Sequence, residues 1–158
     1  MGGYYKLLKI MSKINYSNTK PTEATIGGVT YRFRSRAEFY YAVWLWWKVV
    51  SKTPNKAGQV IVRFEYEPEM FRFDVAKRNK VKGYIPDFKV YYDDGTVLYV
   101  EIKGRMDSAS RVKVGKFSEI AGDRLKVLKT DEAEFLAVKA KALEIINNKK
   151  NGIKWKST

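Results

Sequence analysis

The chain has 158 residues, enough for one domain with a sizeable core. Its 31 Lys and Arg outweigh 17 Asp and Glu to a formal charge of +14, a field that draws polyanions and makes nucleic acid the expected partner. Hydrophobic residues at 45% and aromatics at 15% exclude a wholly disordered chain, and the lack of Cys and His excludes disulfides, thiolate nucleophiles, zinc fingers and catalytic histidines.

Any catalysis must therefore rest on carboxylates, Lys, Arg, Tyr or Ser. No apolar run approaches the roughly 18 residues of a membrane span, so no membrane partner is expected. The first residues lack an apolar leader, and Lys6 stands where a myristoylation signal wants Ser or Thr. The expectation is a cytoplasmic protein, in the host cytoplasm if the source is viral. The divisions expected are an arm or linker over 1–28, one domain over 29–148 and a basic tail over 149–158.

Met1 to Lys20 is basic, with Leu7, Leu8, Ile10, Met11 and Ile14 in loose helical spacing, as a short helix or an arm that orders on DNA. Pro21 to Gly28 reads as a connector and Val29 to Phe33 as a short strand. Ser35-Arg36-Ala37-Glu38 fits a capping box and predicts a helix from about Arg36 to Ser51. That helix is apolar nearly all round, so one stripe faces a sheet and the rest needs cover, from a second protomer in a homodimer or from its own domain. Val60 to Tyr66 alternates as a strand, Met70 to Val75 reads as another, and Lys77-Arg78-Asn79-Lys80-Val81-Lys82 is a basic turn.

The stretch Gly83 to Gly104 carries the chemistry. Two alternating runs, Tyr84 to Tyr92 and Thr96 to Lys103, flank the turn residues Asp93-Asp94-Gly95, which predicts a β-hairpin. With a three-residue loop and Tyr92 opposite Thr96, counting back places Asp87 across from Glu101, and Lys103 shares their face. Opposed like charges destabilise a strand pair by a few tenths to about 1 kcal/mol. A divalent cation with oxygen ligands, Mg²⁺ or its substitute Mn²⁺, would compensate. A lysine two positions on could then orient or deprotonate a metal-bound water, the apparatus of phosphodiester hydrolysis. An ordinary amphipathic hairpin with its charges on a wet face accounts for the same pattern. Tyr91, Tyr92 and Tyr99, if exposed, would instead suit an RNA-binding sheet.

Beyond the hairpin, Arg105 to Ser110 is a polar loop and Arg111 to Ala121 has helical spacing. Arg124 to Lys129 alternates as a strand, parallel to the Glu101 strand because a helix connects them. Asp131 to Asn147 is a second long helix opened by acids. The element order predicts an α/β fold with a mixed central sheet and helices on both faces.

Ile85-Pro86-Asp87 followed by Glu101-Ile102-Lys103-Gly104 resembles the PD-(D/E)xK nuclease superfamily, and in size and layout the phage and archaeal Holliday junction resolvases. The resemblance spans roughly residues 30 to 130. It implies a restriction-endonuclease-like core and a Mg²⁺-dependent endodeoxyribonuclease acting on branched DNA as a homodimer. It also implies Asp87, Glu101 and Glu38 as metal ligands, the Ile102 carbonyl as a further one, and Lys103 as the residue that positions the attacking water. Glu38 stays open between this role and helix capping. Arg34, Arg36, Lys77, Arg78, Lys80, Lys82, Arg105, Arg111, Lys113 and Lys116 are the candidate DNA contacts, those of the basic turn as a phosphate clamp or as an ordinary solvated loop. No appended reading domain is visible, which favours recognition of DNA shape through phosphates.

Overall fold

Alternation and capping residues set most elements where the sequence predicts them. The computed structural model describes residues 19–72 and 83–157. They form a mixed α/β structure and divide into two compact units, one made of the described residues up to Trp47 with those from Lys129 onward, the other of those within Lys48–Leu128.

In the first unit, β1 (Thr22–Ile26) and β2 (Val29–Phe33) form an antiparallel hairpin, and β9 (Lys154–Ser157) pairs antiparallel with the other edge of β1. Two stretches differ here from the sequence expectation. The supposed connector after Pro21 is strand β1, and part of the supposed tail is strand β9. Thr22, Ala24 and Ile26 are buried while Glu23 and Thr25 are less so, but a five-residue alternation beside Pro21 and Gly27-Gly28 is too short to stand out. Strand β9 has one apolar residue, Trp155, and an edge strand needs no more.

Helix α1 (Arg36–Ser51) has its predicted bounds, and α3 (Ala133–Asn147) follows the second acidic start. Much of the cover that α1 needs comes from its own chain. The Phe39 ring packs at 5.9 Å from Phe33 and 5.4 Å from Trp155. From α3, Lys139 lies 5.2 Å over Tyr40 and Lys141 lies 4.5 Å over Trp47. Phe39, Ala42, Val43 and Leu45 are completely buried, whereas Val50 near the helix end is exposed.

The second unit holds a four-stranded sheet of mixed orientation, in the order β3 (Ile61–Tyr66), β6 (Phe88–Tyr92), β7 (Val97–Lys103), β8 (Leu125–Lys129). A separate pair, β4 (Phe71–Arg72) and β5 (Gly83–Tyr84), sets Phe71 opposite Tyr84. The predicted strand from Met70 is thus seen as Phe71–Arg72, and the remainder up to Val75 lies outside the described residues. Helix α2 (Ser108–Ala121) starts three residues before its predicted bound, because Asp107 caps it by accepting from the Ser110 N–H at 2.7 Å. Phe117 of α2 is the centre of this unit's core. Its ring stands 4.7 Å from Phe71, 4.9 Å from Tyr84 and 5.3 Å from Tyr99.

Candidate active site

The hairpin turn has the geometry its residues demand. Gly95 takes φ 84°, its N–H reaches the Tyr92 carbonyl at 3.1 Å, and the Tyr92 N–H reaches the Thr96 carbonyl at 3.0 Å. From there the ladder pairs Tyr91 with Val97, Val90 with Leu98, Lys89 with Tyr99 and Phe88 with Val100. The paired register ends at Phe88 and Val100; one further step would set Asp87, in the bend just before β6, opposite Glu101.

Antiparallel pairs alternate between hydrogen-bonded and non-hydrogen-bonded positions, and side chains are closest at the latter. Tyr92 and Thr96 are hydrogen-bonded, so continuing the alternation would give Asp87 and Glu101 a non-hydrogen-bonded position, but β6 begins at Phe88 and Asp87 lies in the bend before it. The Asp87 carbonyl points to the other neighbour, accepting the Glu67 N–H at 2.8 Å. Pro86, just before that bend, lies outside the strand and has no N–H to give to a ladder. The Ile102 N–H is taken by Oδ2 of Asp87 at 2.7 Å.

Both acids are buried, Asp87 to 1% exposure and Glu101 to 2%. Buried carboxylates need partners. For Glu101 these are the Tyr84 hydroxyl, which donates to Oε2, and the Lys103 ammonium, 2.8 Å from Oε1. The face carrying Glu101 is not the wet side of an amphipathic hairpin: β7 is buried continuously from Tyr99 to Ile102. Phe117 of α2, with Tyr84 and Phe71, covers the side on which Val97 and Tyr99 lie.

The same face continues onto β6 as Lys89 and Tyr91. The Lys89 ammonium lies 3.2 Å from Glu69 and over the rings of Tyr91 and Tyr99. Burial pulls its pKa down, but hydrogen bonds to Tyr91 and Glu69 outweigh that and raise it above the ordinary lysine value. Burial raises the Tyr99 pKa. Tyr99 is only 5% exposed and its hydroxyl bonds Glu69, so it is no open stacking platform for RNA bases.

Glu38 belongs to the first unit and is buried. Its N–H is capped by Ser35 Oγ at 3.2 Å, and its Oε2 accepts the Arg34 N–H at 3.0 Å, with the Arg34 guanidinium 3.8 Å from Oε1. The capping box thus forms, with the return bond one residue earlier than the standard pattern. Among the described residues no group of three or more Asp, Glu, His or Cys side chains is arranged to hold a metal ion. The pair Asp87 and Glu101 is still a fitting donor set for Mg²⁺, which takes one or two carboxylates and keeps several waters.

Of the candidate DNA contacts, Arg34, Arg105, Arg111 and Lys113 are exposed and Lys116 is half-buried. Arg36 is engaged by its own chain, donating to Ser157 Oγ and lying 5.1 Å over Trp155. Lys77, Arg78, Lys80 and Lys82 lie outside the described residues.

Two neighbours of the site were not singled out from the sequence. Tyr84 comes from β5, and its link to Glu101 depends on tertiary packing. Asp107, at the start of α2, has its carboxyl held below the usual range first by Ser110 hydrogen bonds and more weakly by the charges of Lys103 and Lys113. The D-x-x-S spacing of Asp107 and Ser110 was a readable cap signal. No family model, no curated protein and no solved structure matches the chain. No helix among the described residues is long and apolar enough to cross a membrane.

Proposed function

We propose that the chain is a metal-dependent DNA endonuclease that cuts four-way junctions as a homodimer, one active site per protomer. The observation that carries the chemistry is the two buried carboxylates, Asp87 held on the Ile102 N–H and Glu101 in the same hairpin, with the Lys103 ammonium on Glu101. Asp87, Glu101 and the Ile102 carbonyl would hold Mg²⁺, or Mn²⁺ in its place; Glu38, engaged at its own helix start, is not needed for this reading. A cation bound there would supply an activated water and charge neutralisation at the phosphate. Lys103 orients that water and steadies the developing charge. Asp87 and Tyr84 keep the site's geometry by holding the Ile102 N–H and Glu101. The +14 charge and the exposed Arg105, Arg111 and Lys113 favour a phosphate-bound, shape-read substrate.

A second reading, a DNA-binding module without catalysis, is favoured by the two oxygens of Glu101 both being engaged by the chain itself. One experiment separates them: synthetic four-way junction, linear duplex, single strand and flap of matched sequence, each with Mg²⁺, with EDTA and with Glu101→Ala. The expected result is paired, symmetric cuts in the junction alone, lost with EDTA and with the variant. Cuts in every substrate would keep the metal chemistry and remove the junction selectivity. Tight binding without cuts would leave the binding module.

A further inference from the structure

Tyr84 sits on a two-residue strand outside the hairpin that carries the acids, paired through Phe71. Its ring is 6% exposed and packs 4.9 Å from Phe117, within the cluster that also holds Tyr99 and Phe71. Packing therefore fixes where its hydroxyl lies. A phenylalanine would satisfy the cluster equally well, since a buried hydroxyl costs stability unless it is hydrogen-bonded. Here the hydroxyl donates to Oε2 of Glu101.

The two oxygens of Glu101 thus have unlike partners. Oε2 is held by a group locked in an aromatic core. Oε1 is held by Lys103, whose side chain is 24% exposed and sits on a flexible four-carbon stem. One partner can leave and the other cannot.

We infer that Tyr84 is the positioning residue of Glu101, fixing Oε2 so that Oε1 alone exchanges the Lys103 ammonium for a divalent cation. This rests on the reading that the carboxylate pair holds a metal. An outer hydrogen-bond partner of a metal-binding carboxylate sets its orientation, and losing one typically lowers metal affinity about 10–100-fold.

The test is Mn²⁺ titration of the full chain by calorimetry, comparing wild type, Tyr84→Phe and Phe71→Leu, with near-UV circular dichroism as the check on packing. Tyr84→Phe keeps the ring and removes the hydroxyl; Phe71→Leu perturbs the same cluster and keeps it. The expected result is Mn²⁺ affinity weakened about 10–100-fold in Tyr84→Phe and nearly unchanged in Phe71→Leu. Equal affinity in wild type and Tyr84→Phe overturns the positioning role and leaves the metal site standing. Equal weakening in both variants also overturns it, assigning the effect to packing. A wild type that does not bind Mn²⁺ overturns the metal reading and this inference with it.

Discussion

Lys103→Met asks whether the ammonium stands in the place that a cation takes. Methionine keeps the length and apolar stem of lysine and removes its charge. At the observed 2.8 Å, and with an effective dielectric of about 20, the attraction between Lys103 and Glu101 is about 6 kcal/mol before desolvation. Breaking one side of such a buried pair costs about 3–5 kcal/mol, because Glu101 stays 2% exposed with its charge uncompensated. For a chain of this size that corresponds to a fall in Tm of about 6–20 °C. The assay is thermal unfolding without metal and then across a Mn²⁺ series.

The second half of that assay carries the argument. On the proposed metal reading, a cation arriving in wild type would have to displace the ammonium from Oε1, whereas in Lys103→Met that oxygen is already without it. The variant should bind Mn²⁺ more tightly, and Mn²⁺ at about 100 times its Kd should return about 2.7 kcal/mol of stability. Cleavage should still fall about 10²–10³-fold, since the group that steadies the phosphate charge is gone. Metal-free stability equal to wild type, or an equal Mn²⁺ shift in both proteins, would refute the reasoning.

Lys139 is buried, and burial first, then the charge of Arg36, pulls its pKa from 10.5 down to about 8. Between those values the unfolded lysine binds more proton than the folded one, so stability rises with pH across that window and the penalty is complete below it. Lys139→Met should therefore stabilise the protein at neutral pH by roughly 3 kcal/mol or less, and the gain should vanish towards pH 10 when urea unfolding is compared at both. Gly27 and Gly95 both have positive φ, so an alanine at either should cost about 1–2 kcal/mol of left-handed strain. At Gly27 the new Cβ would also meet Trp46 Nε1 at 2.6 Å, and Gly27→Ala should lose about a further 1–3 kcal/mol in the same measurement, while Gly95→Ala meets nothing within 4 Å; equal losses would count against the packing of Trp46.

What was legible in the sequence was local. The capping box placed the start of α1, and Asp93-Asp94-Gly95 fixed the loop length and with it the register from Tyr91 and Val97 to Phe88 and Val100. The strands missed, β1 and β9, are short, β9 carries only Trp155 as an apolar signal, and the run from Tyr84 to Tyr92 expected as one strand divides at Ile85 to Asp87 into β5, paired to Phe71, and β6. The hairpin's alternation shows which side chains share a face but not what covers that face. Phe117, lying in another element, covers the end of that face where Val97 and Tyr99 lie. The hydroxyl of Tyr84 could not be assigned to Glu101 for the same reason, since the contact depends on where the β4–β5 pair packs. Local sequence likewise carries no record of distant partners: Arg36 is held by Ser157 and Trp155, both far along the chain.

The arrangement at Pro86 shows why an ordinary hairpin does not account for this one. A strand that only had to pair would place an N–H at residue 86 and uncharged side chains beyond it. Instead the strand begins only at Phe88, Pro86 and Asp87 lie before it, and the Asp87 side chain takes the Ile102 N–H. Two carboxylates, Asp87 and Glu101, are buried here, at a cost their partners must offset. Lys103 and Tyr84 reduce that cost on Glu101. Local choices that work against pairing and against burial, made together at one end of the hairpin, are expected where a fold gives up stability for a site. The acceptors so gathered are oxygens alone, which is the chemistry a hard divalent cation selects.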